Sequence, residues 1–254
     1  MSILILVRHG QATLDGDDYD RLSPLGHEQA RALGEYWAAL GLEIDRVLIG
    51  PRRRHRETHD TARQAFASAG RPWPDGEPLG ALDEHQGPAV LSHHRALLAE
   101  EAPGIDAGAS PAAPPVSPST VPTVPSGTAA SGNTMREYLR LFRQGSLRWV
   151  RGELPTPEGL ESWPGFRERV AGGLETIRST TEGNGQTVVA FTSGGAMTAA
   201  VGHVLGLDDD QIMRLSWRVR NGATSEMQFS DRGFGLTTFN AVPHFLDARF
   251  LTFV

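Results

Sequence analysis

The chain has 254 residues, of which 39% are hydrophobic and 21% are charged, a composition typical of a globular protein. It contains no cysteine, which excludes disulfides, cysteine-ligated zinc and thiol catalysis and favours a cytoplasmic location. The formal net charge of -6 argues against nucleic acid as the main partner. Because the chain has no apolar run of membrane-spanning length and no signal-peptide pattern at its N-terminus, we also expect no membrane association.

The N-terminal segment predicts a buried strand that ends in chemically active side chains. Residues 3–7 are continuously apolar and rich in β-branched residues, which is typical of a central strand in a parallel sheet. Arg8, His9 and Gly10 follow directly, at the strand end where open α/β sheets bind ligands. There a histidine can act as a nucleophile, and a guanidinium can hold a forked anion.

Strands and helices alternate along most of the chain. Ser23 and Pro24 predict the start of a helix that Gly41 ends. Further strands are predicted at 45–49 and 186–192, each followed by a helix, and this alternation favours a parallel sheet with right-handed crossovers. Two alternating runs at 224–230 and 236–240 predict a hairpin with its turn at 231–235. We therefore predict a three-layer α/β/α sandwich with a mostly parallel central sheet and an edge hairpin.

The segment 103–133 differs in composition from the rest of the chain. It holds seven of the 17 prolines, and its other residues are mainly Ala, Ser, Thr, Gly and Val. Such a segment buries too little apolar area to offset its ordering entropy, so we predict a mobile insertion. A helix is predicted at 134–149 and another after 157–159. The whole chain, 1–254, is interpreted as one domain that carries this insertion.

Two motifs resemble those of a known family. The segment Leu6-Val7-Arg8-His9-Gly10-Gln11 resembles the signature of the histidine phosphatase (phosphoglycerate mutase-like) superfamily. The resemblance implies that His9 is phosphorylated transiently and that Arg8 and Gln11 bind the phosphoryl group. The segment 50–58 resembles the family pattern Ser-Pro-x-x-Arg-x-x-Gln/Glu-Thr, which implies that Arg54 is a second phosphate-binding arginine. Gly50 replaces the usual serine of that pattern.

Two later segments complete the resemblance, and one of them departs from it. The segment 79–87 resembles the family's Leu-x-Glu motif, which implies that Glu84 is the proton donor to the leaving group. The segment 192–195 aligns with the family's Ser-His-Gly-Gly, but Ser193 stands where the second catalytic histidine is expected. Backbone N–H groups of Ser193 and Gly194 remain suited to bind phosphate at a helix start.

The resemblance implies a metal-independent phosphomonoesterase without a cofactor. It would act through a phosphohistidine on a small phosphorylated metabolite, binding that substrate or inorganic phosphate, as a monomer or a homodimer. Loss of one preorganised donor costs roughly 10²–10³ in rate, which such a site can absorb. Two alternatives stay open at this point: phosphoryl transfer of the phosphoglycerate mutase type, and a weakened module that only binds a phosphorylated ligand. Neither the substrate nor the oligomeric state follows from the sequence.

Overall fold

A computed structural model describes residues 1–13, 20–94 and 131–253, with side chains in the last range from residue 140 onward. The predicted loop at 14–19 and residues 103–130 of the predicted insertion lie outside the described residues. Residues 131–133, the end of that predicted insertion, instead begin a helix, so the helix expected at 134–149 starts three residues earlier.

Six strands and seven α-helices form the described part of the chain. The strands are β1 (Ser2–Arg8), β2 (Arg46–Ile49), β3 (Gly76–Pro78), β4 (Thr187–Thr192), β5 (Thr224–Ser230) and β6 (Gly233–Ala241). The helices are α1 (Pro24–Leu40), α2 (Arg53–Ser68), α3 (Gly87–His93), α4 (Ser131–Val150), α5 (Trp163–Thr180), α6 (Gly194–Leu205) and α7 (Asp209–Ser216). Short 3₁₀ turns cover Gly80–Leu82 and Ala248–Phe250. Within these residues, no helix is long and apolar enough to cross a membrane.

The strands form one mixed sheet in the order β3-β2-β4-β1-β5-β6. The first four in this order are parallel, whereas β5 runs antiparallel to β1 and β6 antiparallel to β5. This confirms the predicted α/β fold with a mostly parallel sheet and an edge hairpin. The hairpin turn is tighter than predicted, because Gly233 adopts a φ of 120° and β6 begins inside the expected turn.

Sequence patterns did not reveal β3, which lies in a stretch rich in proline and glycine. It has only three residues and sits at the sheet edge, where Pro78 costs no central ladder hydrogen bond. A short edge strand therefore needs no alternating pattern of its own.

The described residues form two compact units. The sheet unit contains residues 1–13, 20–84 and 167–253, and the helical unit contains residues 85–94 and 131–166. In the helical unit, the imidazole of His85 packs among three aromatic rings, those of Trp149, Trp163 and Phe166, at centroid distances of 5.5, 6.1 and 5.5 Å. A single domain over the whole chain stays a prediction.

The core of the sheet unit follows from the alternation of side chains along the strands. Ile5 and Val7 of β1 belong to one buried cluster with residues of α1, α2 and β4, among them Leu33, Phe66 and Phe191. Their neighbours Leu4, Leu6, Val188 and Ala190 are buried on the other face. A parallel sheet needs both faces covered, and this pattern meets that need.

Helix α1 begins and ends where its sequence signals indicated. The Gly26 backbone N–H donates to Ser23 Oγ at 3.0 Å, and Pro24 occupies the first helical position. Gly41 ends the helix in the left-handed conformation, with a φ of 69°. These caps fix α1 so that its apolar stripe faces the sheet.

Substitution of a core leucine tests this packing. Leu33→Ala is expected to lower the free energy of unfolding by about 2–5 kcal/mol, because it leaves a cavity in a close-packed cluster. Leu246→Ala is the matched control, since Leu246 is 98% exposed and Leu33 is fully buried. Urea denaturation of both variants measures the difference, and equal unfolding midpoints would contradict the assignment of Leu33 to the core.

Candidate active site

The site is built by segments that leave three neighbouring parallel strands. In the pairing of β1 with β4, Arg8 lies opposite Thr192, and the His9 backbone N–H donates to the Thr192 carbonyl at 2.9 Å. The Gly50 N–H, just after β2, donates to the Phe191 carbonyl at 2.9 Å. The ends of β1, β2 and β4 are thus held side by side, which is where an open α/β sheet binds its ligands.

His9 is buried and its tautomer is fixed by the backbone. Its Nδ1 lies 2.7 Å from the Gly10 carbonyl oxygen, which can only accept, so Nδ1 carries the hydrogen and Nε2 keeps the lone pair. The Gly10 N–H donates to Thr58 Oγ1 at 3.1 Å. A Cβ on residue 10 would lie 2.4 Å from the Gly26 carbonyl oxygen, so only glycine fits there.

Two arginines lie close to the imidazole of His9. Arg54, in the first turn of α2, is buried and donates from Nη1 to Asp20 Oδ1 at 2.7 Å and from Nη2 to Ser193 Oγ at 3.4 Å. Arg8 donates from Nη1 to the Val219 carbonyl. A Cβ on Gly194 would come within 3.3 Å of Arg8 Nε, so the missing side chain at residue 194 leaves room for this guanidinium.

Burial and these two cations together determine the charge of His9. Burial lowers the pKa of His9 well below its ordinary value of 6.5, and Arg54 and Arg8 lower it further. The imidazole is therefore neutral at physiological pH. A neutral ring with its lone pair on Nε2 is the state that a nucleophilic histidine requires.

The side chain of Glu84, a residue that follows the first 3₁₀ turn, lies beside the first turn of α6. Its Oε2 accepts a hydrogen bond from the Gly195 N–H at 3.2 Å. The 3₁₀ turn before it is anchored by Thr192, whose hydroxyl donates to the Leu82 carbonyl at 2.7 Å. The neighbouring Asp83 is ion-paired with Arg52, so of these two carboxylates Glu84 is the one directed to the helix start. The structure thus brings Glu84 beside Ser193 and Gly194.

Gln11, a predicted phosphate ligand, has its described contacts with the α1 region. Its side-chain oxygen accepts from Ser23 Oγ at 2.8 Å, and its backbone N–H donates to Gln29 Oε1 at 2.8 Å. A role of Gln11 in phosphate binding stays a prediction. The remaining predicted residues, Arg8, His9, Arg54, Glu84, Ser193 and Gly194, all lie at the strand ends described above.

Sequence reasoning missed His55, which lies in the centre of this cluster. Its Nε2 is 2.6 Å from Ser193 Oγ, and its ring centroid is 5.9 Å from that of His9. Burial lowers the pKa of His55 well below 6.5, and Arg54 and Arg52 add to this effect. The sequence did contain a signal for His55. The expected second histidine is replaced by Ser193, and another histidine directly follows the predicted phosphate-binding Arg54. Asp20, the carboxylate partner of Arg54, was also missed.

Comparison with protein families gives a direct match. The model of the histidine phosphatase superfamily, branch 1, matches residues 4–75 and 127–242. These ranges cover most of the chain and include five of the six residues at the strand ends, all except Glu84. A search of curated protein sequences found no match.

Solved structures with the same fold include several phosphatases. A phosphoserine phosphatase from Entamoeba histolytica, in complex with phosphoserine, has a TM-score of 0.60 at 17% identity, covering 97% of this chain and 100% of its own. The alpha-ribazole phosphatase from Shigella flexneri has a TM-score of 0.55 at 18% identity, covering 94% and 96%. A mycobacterial glucosyl-3-phosphoglycerate phosphatase, in complex with inorganic phosphate, has a TM-score of 0.58 at 16% identity, covering 96% and 99%. At these identities the similarity establishes the fold.

The lowered pKa values can be tested by NMR. The ¹⁵N resonances of His9 and His55 are expected to show neutral rings at pH 6, because burial and the arginines disfavour the charged form, whereas an ordinary imidazole would be mostly protonated. His9 is also expected to show its hydrogen on Nδ1. Spectra of His9→Gln and His55→Gln assign the signals, and a titration midpoint near 6.5 for either ring would contradict the lowered pKa of that ring.

Proposed function

The chain belongs to the histidine phosphatase superfamily, and we propose that it is a metal-independent phosphomonoesterase that acts through a phosphohistidine on a small phosphorylated metabolite. One observation carries the proposal: the buried, neutral His9 presents an Nε2 lone pair beside Arg8 and Arg54. This arrangement combines a nucleophile with the positive charge that an incoming phosphoryl group needs.

In the first step, His9 Nε2 attacks the phosphorus in line as the bond from phosphorus to the ester oxygen breaks. Arg8 and Arg54 stabilise the equatorial oxygens, and N–H groups at the start of α6 add further donors. Because two guanidinium groups supply the positive field, the reaction does not need a metal ion. Positioning and electrostatic stabilisation account for most of the catalysis in phosphoryl transfer.

Glu84 serves as the proton carrier in both steps. It first gives a proton to the leaving oxygen, which releases the alcohol. A water molecule then attacks phosphorus, the bond from phosphorus to Nε2 breaks, and Glu84 takes the proton of the water. His9 is thereby restored and inorganic phosphate leaves. The contact of Glu84 with Gly195 supports this role, since it places the carboxylate beside the proposed phosphate site.

The neighbours in the fold favour hydrolysis over a mutase reaction. The three structures described above are phosphatases, and two of them hold phosphoserine or inorganic phosphate. Their substrates differ, so only the class of a small phosphorylated metabolite is proposed for this chain. A cytoplasmic location is part of the proposal and rests on the absence of cysteine.

Loss of the nucleophile is the first test. In a buffer with EDTA, His9→Ala is expected to reduce turnover of p-nitrophenyl phosphate by about 10³-fold or more, because no other group forms the phosphoenzyme. The native enzyme should form an acid-labile phosphoenzyme that this variant lacks. His203→Ala is the matched control, since His203 is an exposed histidine on α6. Undiminished turnover in His9→Ala, or an acid-stable phosphoenzyme, would refute the mechanism.

The role of Glu84 predicts a dependence on the leaving group. Glu84→Gln is expected to reduce kcat/KM for an alkyl phosphate by roughly 10²–10⁴-fold and kcat/KM for p-nitrophenyl phosphate by much less, because kcat/KM reports formation of the phosphoenzyme, a step in which nitrophenolate leaves without a proton. Asp83→Asn serves as the control, since it removes a neighbouring carboxylate that is paired with Arg52. Equal losses on both substrates in Glu84→Gln would argue against general acid catalysis by this residue.

A further inference from the structure

We propose that His55 supplies, together with Ser193, the imidazole function that is missing from the segment 192–195, where Ser193 stands in the place of the family's second catalytic histidine. In this view a Ser193–His55 pair holds one oxygen of the phosphoryl group on His9. The inference rests on the proposed function and extends it by two residues. Neither residue forms or breaks a bond to phosphorus, because their task is to position a donor.

The contacts of His55 support this assignment. Its ring and the Ser193 hydroxyl are both fully buried and lie 2.6 Å apart at Nε2 and Oγ. The same hydroxyl accepts a hydrogen bond from Arg54 Nη2 at 3.4 Å. The centroid of the His55 ring lies only 5.9 Å from that of the His9 ring, so the pair lies next to the ring that would carry the phosphoryl group.

The hydroxyl of Ser193 does not cap the helix that begins beside it. It occupies the N-cap position of α6, where serine hydroxyls commonly accept a backbone N–H, yet it makes no such cap hydrogen bond. Its hydroxyl is directed instead to His55 and Arg54. The buried Ser193 hydroxyl thus contacts an imidazole and a guanidinium and not the backbone of the helix. This choice of partners indicates that the hydroxyl has a functional role.

Gly50 provides the space that His55 occupies. A Cβ on residue 50 would lie 2.4 Å from His55 Nδ1 and 2.9 Å from its Cε1, so any larger residue would collide with the ring. The two departures of this sequence from the family pattern, Gly50 and Ser193, thus have one explanation. Glycine at 50 makes room for a histidine at 55, and the ring of that histidine meets the serine at 193.

Hydrogen-bond chemistry shows how the pair would act. A hydroxyl both donates and accepts, so Ser193 can bond to the neutral His55 ring in either of its tautomers. A phosphoryl oxygen only accepts, and its arrival favours the tautomer in which Nε2–H donates to Ser193. The Ser193 hydroxyl then donates its own hydrogen to the phosphoryl oxygen. His55 is accordingly a positioning residue that acts through Ser193.

A histidine exchange between the two positions tests the proposal. His55→Ala should reduce kcat/KM for p-nitrophenyl phosphate by about 10²–10³-fold, the range for loss of one preorganised donor. Ser193→His alone should also be impaired, because His55 already fills the buried space beside residue 193. The double variant His55→Ala/Ser193→His should recover to within about tenfold of the native enzyme, since one imidazole is again present.

Further measurements separate this role from simple packing. Thermal unfolding of each variant shows whether it folds, and His55→Leu retains most of the volume of the ring without a hydrogen-bonding group. If His55→Leu keeps both the native kcat/KM and its pH profile, the side chain only packs and the proposal is wrong. A double variant that is no more active than either single variant would overturn it as well.

Binding of inorganic phosphate distinguishes failure of this inference from failure of the proposed function. If the native protein binds phosphate by calorimetry without turnover, the hydrolase proposal fails. The inference then still requires at least a tenfold weaker Kd in His55→Ala and its recovery in the double variant. If the native enzyme turns over and both His55→Ala and His55→Leu match it, the inference alone fails. Absence of both turnover and phosphate binding would overturn both.

Discussion

The site depends on the parallel pairing of β1 with β4. This pairing sets Arg8 beside Thr192, so the residues that follow each strand, His9 and Ser193, emerge at the same edge of the sheet. Pairing of β2 with β4 brings the start of α2 to the same place. Residues far apart in the chain therefore converge through backbone hydrogen bonds alone. Local contacts, namely helix caps, closely packed glycines and ion pairs, then orient the side chains of the candidate site.

The second constraint is electrostatic. Two imidazoles are buried close to arginine side chains, and both effects lower their pKa values, so His9 and His55 are neutral. A cationic environment around a neutral imidazole suits the proposed reaction, in which negative charge enters the site with the substrate. Asp20 offsets part of this charge through its contact with Arg54, which stabilises the buried guanidinium.

The fold was largely predictable because its signals are local. The apolar run of β1, the Ser23 cap and the glycine that ends α1 each specify an element without reference to the rest of the chain. The strand ends of the site followed from the same reasoning. The role of His55 could not be predicted in this way, because it depends on a contact between the starts of two helices, α2 and α6, that are far apart in the sequence. In the sequence, His55 lies among four arginines, and this segment resembled an exposed, charged helix face. Strand β3 was missed since three edge residues carry no periodicity.

The close approach of Gly50 to His55 restricts the order in which this sequence could have changed. With histidine at position 55, only glycine fits at position 50, because a Cβ there would lie 2.4 Å from His55 Nδ1. A mutational path from the common serine pattern to this sequence must therefore pass through glycine at 50 before histidine appears at 55. The glycine is a permissive change: on its own it alters no chemistry, but it decides which later substitutions the fold will tolerate.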